Sequence, residues 1–157
     1  MKTRVALALV VSLWPVLPWV EATAVASGES GEAEELGVKQ PPNAILGEWL
    51  SEDKDGRIKF IPAGDGTYLG VVTWAAEPVK DTKNPDPKLR DRLTLNIVII
   101  WNLRYEDGQY VGGYCYNPRD GNTYRMKTEV VSPDTMKVRG YLAIPLLGQT
   151  QEWTRYH

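Results

Sequence analysis

The sequence has 157 residues, with 18 lysine and arginine residues against 20 aspartate and glutamate residues, so its formal net charge is −2 at pH 7. This balance argues against a nucleic-acid partner, for which a basic stripe is expected. Cys115 is the single cysteine and His157 the single histidine, which excludes an internal disulfide and leaves little room for His-based triads, zinc sites or Cys-His dyads.

The first 26 residues have the layout of a secretory signal peptide. Two basic residues precede an apolar run over 5–13, and a small-x-small cleavage pattern ends at Ala26. The alternative, a membrane-spanning helix, is disfavoured because Pro15 and Pro18 interrupt a segment that falls short of the ~20 apolar residues of a span. The sequence therefore predicts cleavage after Ala26, no integral membrane span after cleavage, and a periplasmic or secreted mature protein.

The next segment, 27–43, reads SGESGEAEELGVKQPPN and contains no aromatic residue. Such a composition cannot bury enough apolar surface to offset the entropy of ordering. We expect a flexible acidic linker, with a short helix over its Glu-Ala-Glu-Glu-Leu stretch as the alternative. The ordered domain is then predicted over 44–157, a length typical of one domain.

From Gly47 onward, short strand-like runs alternate with turn signals such as Asp-Gly and Pro-Asp, which favour hairpins. The eight predicted strands span 47–52, 57–61, 67–75, 93–105, 109–116, 122–131, 136–142 and 148–156. A meander of this kind protects its edges by closing into a barrel. The alternative is a two-sheet sandwich, which usually needs Greek-key crossovers. The predicted fold class is all-β, an eight-stranded antiparallel up-and-down meander barrel.

Period-2 alternation indicates which residues face inward. In the sixth predicted strand, Tyr124, Met126, Thr128 and Val130 share one face, opposite a polar face. The stretch 97–101 is apolar on both faces instead. We expect that strand to be covered twice, by the long loop, by the linker or by a second subunit in a homodimer.

Gly47 and Trp49 on the first predicted strand, with Trp153 and Arg155 on the last, resemble the signature of lipocalin-like barrels. In such barrels the arginine packs over the first-strand tryptophan at the closed end. The first and last strands of a closed meander are neighbours, so Trp49 and Arg155 can touch. A contact of this kind is worth about 0.5–2 kcal/mol.

Further motifs extend the resemblance over 45–155. They include G…P-x-D-G-x-x-Y over 113–124, G-x-x-x-x-W-T-R over 148–155, and the short stretches DTKNP, LRDRL and KVRGY. Together they resemble DUF2147, a family of exported bacterial proteins of unknown function with a lipocalin-like fold. Asn96, where the family usually has glycine, and Cys115, where it has an aliphatic residue, depart from its pattern. The resemblance implies a fold, a compartment and ligand binding; it implies no established activity.

The segment 77–92 is the longest irregular stretch of the predicted domain and carries charges of alternating sign. Loops of this length in compact domains are often functional lids. Arg90 and Arg92 at its end are candidates for binding a carboxylate or phosphate head group at the barrel mouth. The alternatives are pairing with Asp86 and Asp91, or a strap held down by Asn84-Pro85.

Five aromatic residues are candidates for lining a ligand cavity, because rings with a polar tip suit pockets that are apolar but not dry. They are Trp74, Trp101, Tyr114, Tyr124 and Tyr141. The alternative is that they fill a small core without leaving a cavity.

The sequence predicts a non-catalytic, exported lipocalin-like protein that binds a small hydrophobic or amphipathic molecule. The alternative is an envelope interaction or assembly factor that uses the doubly apolar strand 93–105 as an interface. No cofactor and no metal site is expected. An enzyme is disfavoured because no spaced pair of carboxylates stands out.

Overall fold

The computed structural model describes residues 39–157, and their strands form one closed antiparallel sheet. The strands are β1 (Gly47–Leu50), β2 (Gly56–Pro62), β3 (Thr67–Ala75), β4 (Val98–Glu106), β5 (Gln109–Asn117), β6 (Asn122–Ser132), β7 (Thr135–Tyr141) and β8 (Gln149–Tyr156). Short 3-10 turns span Pro42–Ile45, Pro87–Leu89 and Pro145–Leu147. The predicted signal peptide, 1–26, and most of the predicted linker, 27–38, lie outside the described residues.

Each strand pairs with the next one along the chain, and β1 pairs with β8 to close the barrel. The closing register sets Trp49 opposite Arg155. The prediction of an eight-stranded up-and-down barrel is therefore confirmed, and the sandwich alternative is wrong. This topology puts the β1–β2, β3–β4, β5–β6 and β7–β8 connections at one end, which we call the loop end. The other three connections lie at the closed end.

Alternate residues of the strands fill the barrel interior. On β6, Met126, Thr128 and Val130 are buried while Arg125 and Glu129 are exposed, as the alternation predicts. The buried apolar cluster comprises Ile45, Trp49, Ile58, Phe60, Val72, Ile99, Ile100, Leu103, Tyr110, Tyr116, Met126, Val130, Met136, Val138 and Trp153. Burial of large side chains of this kind stabilises the fold by about 1.5–3 kcal/mol each before the entropy of ordering is counted.

Strand β4 begins later than predicted and pairs irregularly with β3. The predicted strand starts at residue 93, whereas β4 starts at Val98, because Asn96 adopts a φ of 61° that interrupts an extended run. One extra residue between Val98 and Ile100 lets the consecutive Ile99 and Ile100 both be buried. Val98 is 45% exposed, so no segment within residues 39–157 fully covers its outward face, and coverage by a second subunit stays a prediction.

The segment before β1 caps the closed end of the barrel. The hydroxyl of Tyr105 donates to the carbonyl of Gln40 (2.6 Å), and that of Tyr110 donates to the carbonyl of Pro42 (3.0 Å). Ile45 is fully buried, and its N–H donates to the Tyr110 oxygen (3.0 Å). Residues 39–43, the end of the predicted linker, thus lie against the barrel, because inward-facing tyrosine hydroxyls bind their backbone carbonyls.

Candidate functional site

Trp49 and Arg155 are in contact at the closed end. The Arg155 guanidinium lies 4.2 Å from the centroid of the Trp49 ring, and the indole N–H donates to the carbonyl of Ile45 (2.8 Å). The guanidinium also donates to the carbonyls of Ala44, Leu46 and Pro133, at 2.6, 2.8 and 2.6 Å. These bonds tie β8 to the capping segment and to the β6–β7 turn, so the contact is part of the fold.

Gly47 completes this arrangement for two separate reasons. Its φ is 109°, which side-chain-bearing residues rarely adopt, and a Cβ there would lie 3.1 Å from a guanidinium nitrogen of Arg155. Trp153, the remaining signature residue, faces the interior beside Phe60, with ring centroids 6.5 Å apart. It supports the core and takes no part in the Trp49–Arg155 contact.

Four of the five aromatic residues predicted to line a cavity lie on the outer wall instead. Tyr114 pairs with Trp101 on β4 and with Arg125 on β6, and Arg125 pairs with Tyr141 on β7. The residue after Tyr114, Cys115, pairs with the buried Ile100 and therefore faces inward. Their orientation differs from the expectation because β4 and β5 contain irregular positions that shift which residues face the interior, and these positions have no reliable sequence signal.

Trp74 is the fourth residue on the outer wall. It pairs with Arg57, whose guanidinium lies 4.9 Å from the Trp74 ring centroid and 4.1 Å from that of Tyr156. The same guanidinium is 3.7 Å from the Glu48 carboxylate. Tyr124, by contrast, pairs with the inward Cys115, and its hydroxyl donates to Asp120 at the loop end (2.7 Å).

Two of the depressions formed by residues 39–157 lie on the outer wall, whereas the buried apolar cluster occupies the interior. The first, of about 110 Å³, is lined by Gly112, Gly113, Tyr114, Arg125 and Tyr141. The second, of about 160 Å³, includes Lys127 and Arg139 in its lining. The structure thus brings Trp101, Tyr114 and Tyr141 into one neighbourhood, but outside the barrel.

At the loop end, the β3–β4 connection (76–97), which we call the lid loop, is held by a buried carboxylate. Asp81 is fully buried and accepts hydrogen bonds from the Tyr116 hydroxyl (2.5 Å) and the Asn84 amide (2.7 Å). Arg92 pairs with the same carboxylate at 2.9 Å. Arg92 therefore binds a residue of its own loop, and its partner is Asp81, not the predicted Asp86 or Asp91.

This network shifts the pKa values of its acids in opposite directions. Burial alone would raise the pKa of Asp81, but the hydrogen bonds from Tyr116, Asn84 and Arg92 outweigh it and hold that pKa below its usual value. Burial and the adjacent Asp81 carboxylate raise the pKa of Tyr116 to about 12. At neutral pH the carboxylate is charged and the phenol stays protonated, which is the pairing that this hydrogen bond needs.

Further contacts hold the lid loop to itself and to the β5–β6 turn. Arg90 donates from Nε to the carbonyl of Asn84 (2.8 Å), inside the loop rather than at an open mouth. A Cβ at Gly121 would lie only 2.1 Å from the carbonyl oxygen of Lys83, so the loop backbone packs directly against that glycine. These contacts agree with the alternative stated for the segment 77–92, in which the loop is fixed to the barrel near Asn84. Asp81 and Tyr116 were missed as site residues, although Asp81 begins the DTKNP stretch.

The remaining chemistry of the described residues is sparse. Burial raises the pKa of the Cys115 thiol to about 12, with a smaller contribution from Asp120, so the thiol is a poor nucleophile at neutral pH. Within residues 39–157, no group of three or more potential metal-ligating side chains occurs. In the same range no helix has the length and apolar character to cross a membrane.

Comparison with known families agrees with this architecture. The sequence model of a family described as "Uncharacterized protein conserved in bacteria (DUF2147)" matches residues 47–155, which run from β1 to β8. The chain belongs to this family. The match includes both halves of the Trp49–Arg155 contact and the whole lid loop. No curated protein matches the chain.

A search of solved structures supports the same fold. The chain is similar to protein HP1028 from Helicobacter pylori, which is described as belonging to the lipocalin family. The two share 24% sequence identity with a TM-score of 0.67, over 72% of this chain and 83% of that one. At this identity the likeness shows a lipocalin-like barrel and carries no further conclusion about ligand or activity.

Proposed function

We propose that this protein binds a small hydrophobic or amphipathic molecule without catalysing a reaction, and that the lid loop controls entry at the loop end. The observation that carries this proposal is the chemistry of the lid attachment. The buried residues of the loop are Asp81, Asn84 and Thr94, all of them polar. Its apolar Val79 and Leu93 are about half exposed, at 48% and 53%, whereas Leu95 and Ile97, at the end next to β4, are partly buried against the core.

A loop attached in this way can detach at low cost. Opening the part of the lid before Leu95 would break hydrogen bonds and one ion pair, all of which water can replace, and would leave the packing of Leu95 and Ile97 against the core intact. The closed end is different, because its capping segment buries Ile45 completely. Entry at the loop end is therefore favoured over entry at the closed end.

A ligand would have to displace core side chains, since the buried cluster occupies the interior. Met126 and Met136 are both almost fully buried in that cluster. Methionine has three rotatable bonds and repacks at small cost, so these two residues would yield first. Uptake is thus expected to couple lid opening with rearrangement of the core.

A fluorescent apolar probe tests the proposal directly. N-phenylnaphthylamine should bind saturably, and Asp81→Asn should raise its association rate because the lid opens more often. Asp91→Asn is the matched control, since Asp91 lies on the same loop but pairs with the exposed Lys80. Absence of saturable binding, or equal rates in both variants, would contradict the proposal, provided near-UV circular dichroism shows intact packing.

The natural ligand should co-purify with the protein isolated from its own host. Native mass spectrometry and organic extraction of protein purified from its own host should reveal one small molecule in stoichiometric amount. Chain isolated entirely without such a molecule, from cells in several growth conditions, would count against the proposal.

We also propose that the protein acts outside the cytoplasm, in the periplasm or beyond. This rests on the signal-type sequence over 1–26. N-terminal sequencing of the protein from its own host should give a chain that begins at Ser27. Recovery of uncleaved protein from the cytoplasm would contradict this proposal.

A second candidate function, an envelope interaction factor, is favoured by apolar side chains exposed near the loop end. On the predicted interface strand, Leu93 is 53% and Val98 is 45% exposed. The β7–β8 connection adds Leu142, Leu146 and Leu147, each at least 70% exposed. Cross-linking in cells distinguishes the two functions: a specific captured partner, lost in Val98→Asp, supports the interaction factor, and a strict monomer with no partner counts against it.

A further inference from the structure

A row of side chains crosses the outer wall on four adjacent strands. Trp101 of β4, Tyr114 of β5, Arg125 of β6 and Tyr141 of β7 stand directly opposite one another in register. The rings of Trp101 and Tyr114 stack with centroids 5.9 Å apart and an angle of 20° between their planes. Arg125 is therefore flanked by a tyrosine on each neighbouring strand.

The first depression on the outer wall lies within this row, where Gly112, which carries no side chain, and the backbone of Gly113 form the floor. Gly112 has a φ of 72°, and a Cβ there would meet only the carbonyl oxygen of Asn102, at 3.9 Å. A Cβ at Gly113 would lie 2.5 Å from the buried Leu103. The irregular pairing of β5 with β6 between Tyr110 and Gly113 sets this floor. The depression is thus fixed by backbone geometry and core packing.

The guanidinium at this depression has no acidic partner in the part of the chain that the structure describes. Within residues 39–157, Arg125 is exposed and takes part in none of the six ion pairs. The next outward residue on β6 is Lys127, which pairs across the sheet with Arg139, so the charge alongside is also positive. Glu129, further along β6, is hydrogen-bonded to Gln109. An anion placed against Arg125 would meet uncompensated positive charge.

We propose that this depression binds a small aromatic carboxylate, with the carboxylate on Arg125 and the ring between Tyr114 and Tyr141. A guanidinium presents a planar fork that matches a carboxylate in two parallel hydrogen bonds. The volume of about 110 Å³ admits a single ring and is well below that of a pocket for a drug-sized ligand. Tyrosine rings on both sides favour a flat apolar body behind the charge.

This site is independent of the lid loop and of the barrel interior. Its lining residues belong to β5, β6 and β7, and within residues 39–157 none of their side chains is hydrogen-bonded to Asp81. The two binding proposals can therefore succeed or fail separately.

Benzoate is the probe, followed by amide chemical shifts in NMR spectra of the purified protein. We expect saturable binding with a Kd on the order of millimolar, as suits one charged contact and one ring. The shifts should centre on Gly112, Gly113 and Arg125. Acetate, which lacks the ring, and benzyl alcohol, which lacks the charge, should each bind about tenfold more weakly.

Arg125→Gln should weaken benzoate binding by about tenfold or more, because it removes the charged donor while the exposed position leaves the fold intact. Arg104→Gln is the matched control, an exposed outer-wall arginine on β4 that does not line the depression. Tyr141→Ser should weaken benzoate and leave acetate unchanged. The proposal is overturned if benzoate fails to saturate, if Arg125→Gln binds like the unaltered protein, or if acetate or inorganic phosphate binds as tightly as benzoate.

Discussion

Arg155 shows how one side chain can close a barrel. Its guanidinium bonds three carbonyl oxygens from two separate segments and lies 4.2 Å from the Trp49 ring. Each bond alone is modest, about 0.5–1.5 kcal/mol, or more when a charged donor is involved. Their combination on one rigid fork fixes the relative positions of β1, β8 and the capping segment.

Trp49→Ala should lower the free energy of unfolding by about 3–5 kcal/mol, because it removes a fully buried indole and leaves a cavity. Urea unfolding followed by circular dichroism measures the change. Trp74→Ala is the matched control on the outer wall and should cost less than half as much. If both variants lowered the free energy of unfolding equally, the closed-end contact would stabilise the fold no more than an outer-wall tryptophan does.

Tyr110→Phe should destabilise the protein by about 1–3 kcal/mol, since the Ile45 N–H and the Pro42 carbonyl lose a shared partner. Burial raises the pKa of Tyr110 to about 12, so the hydroxyl stays protonated across the usual pH range. Tyr68→Phe, which removes a single bond to the Pro42 carbonyl, should cost less. The comparison is contradicted if Tyr68→Phe proves the more damaging change in urea unfolding.

At the scale of the element, the lid loop is a long connection whose order depends on Asp81. Two backbone hydrogen bonds of the loop involve Asp81: the Asp81 N–H donates to the carbonyl of Arg92, and the Asn84 N–H donates to the carbonyl of Asp81. The direction of the Asp81 pKa shift determines how the stability of the closed lid loop changes with pH. The folded pKa of Asp81 is lowered, so its contribution is present above the unfolded pKa, about 3.9, and is lost as pH falls through the folded pKa.

Amide hydrogen exchange should show this loss in the lid loop. Protection of the Asn84 and Thr94 amides is expected to fall below about pH 4, while amides of β6 and β7 stay protected. In Asp81→Asn the lid amides should already be unprotected at neutral pH, with no further change on acidification. Retained protection in that variant would show that the carboxylate does not hold the loop.

The strands and their turns were predictable because Asp-Gly and Pro-Asp signals and period-2 alternation are local. The lid chemistry was harder, since Asp81 is held by Tyr116 from a strand 35 residues away. The orientation of Trp101 and Tyr114 was not predictable, because it depends on extra residues in β4 and β5 that shift the alternation. The sequence predicted that these rings face the interior, whereas the structure places them on the outer wall, and their part in ligand binding stays a prediction.

At the scale of the whole molecule, Cys115 offers an internal reporter of barrel integrity. Its thiol faces the interior, and with a pKa of about 12 roughly one thiol in ten thousand is ionised at pH 8. A thiol reagent should react very slowly in buffer and rapidly in denaturant. The labelling midpoint should coincide with that from circular dichroism, as for a cooperative domain. Fast labelling without denaturant would show that the wall opens locally.

The pairing between β1 and β8 has a consequence for how the chain reaches its fold. Seven of the eight strand pairings join sequence neighbours, whereas the eighth joins strands about a hundred residues apart through three residue pairs. Contacts of such separation carry the largest loop-closure entropy and form late. During synthesis or refolding, the unfinished sheet therefore keeps two bare edges until β8 arrives. For that interval another copy's β8 can take the vacant place, so crowded refolding should favour strand-exchanged pairs over single closed barrels.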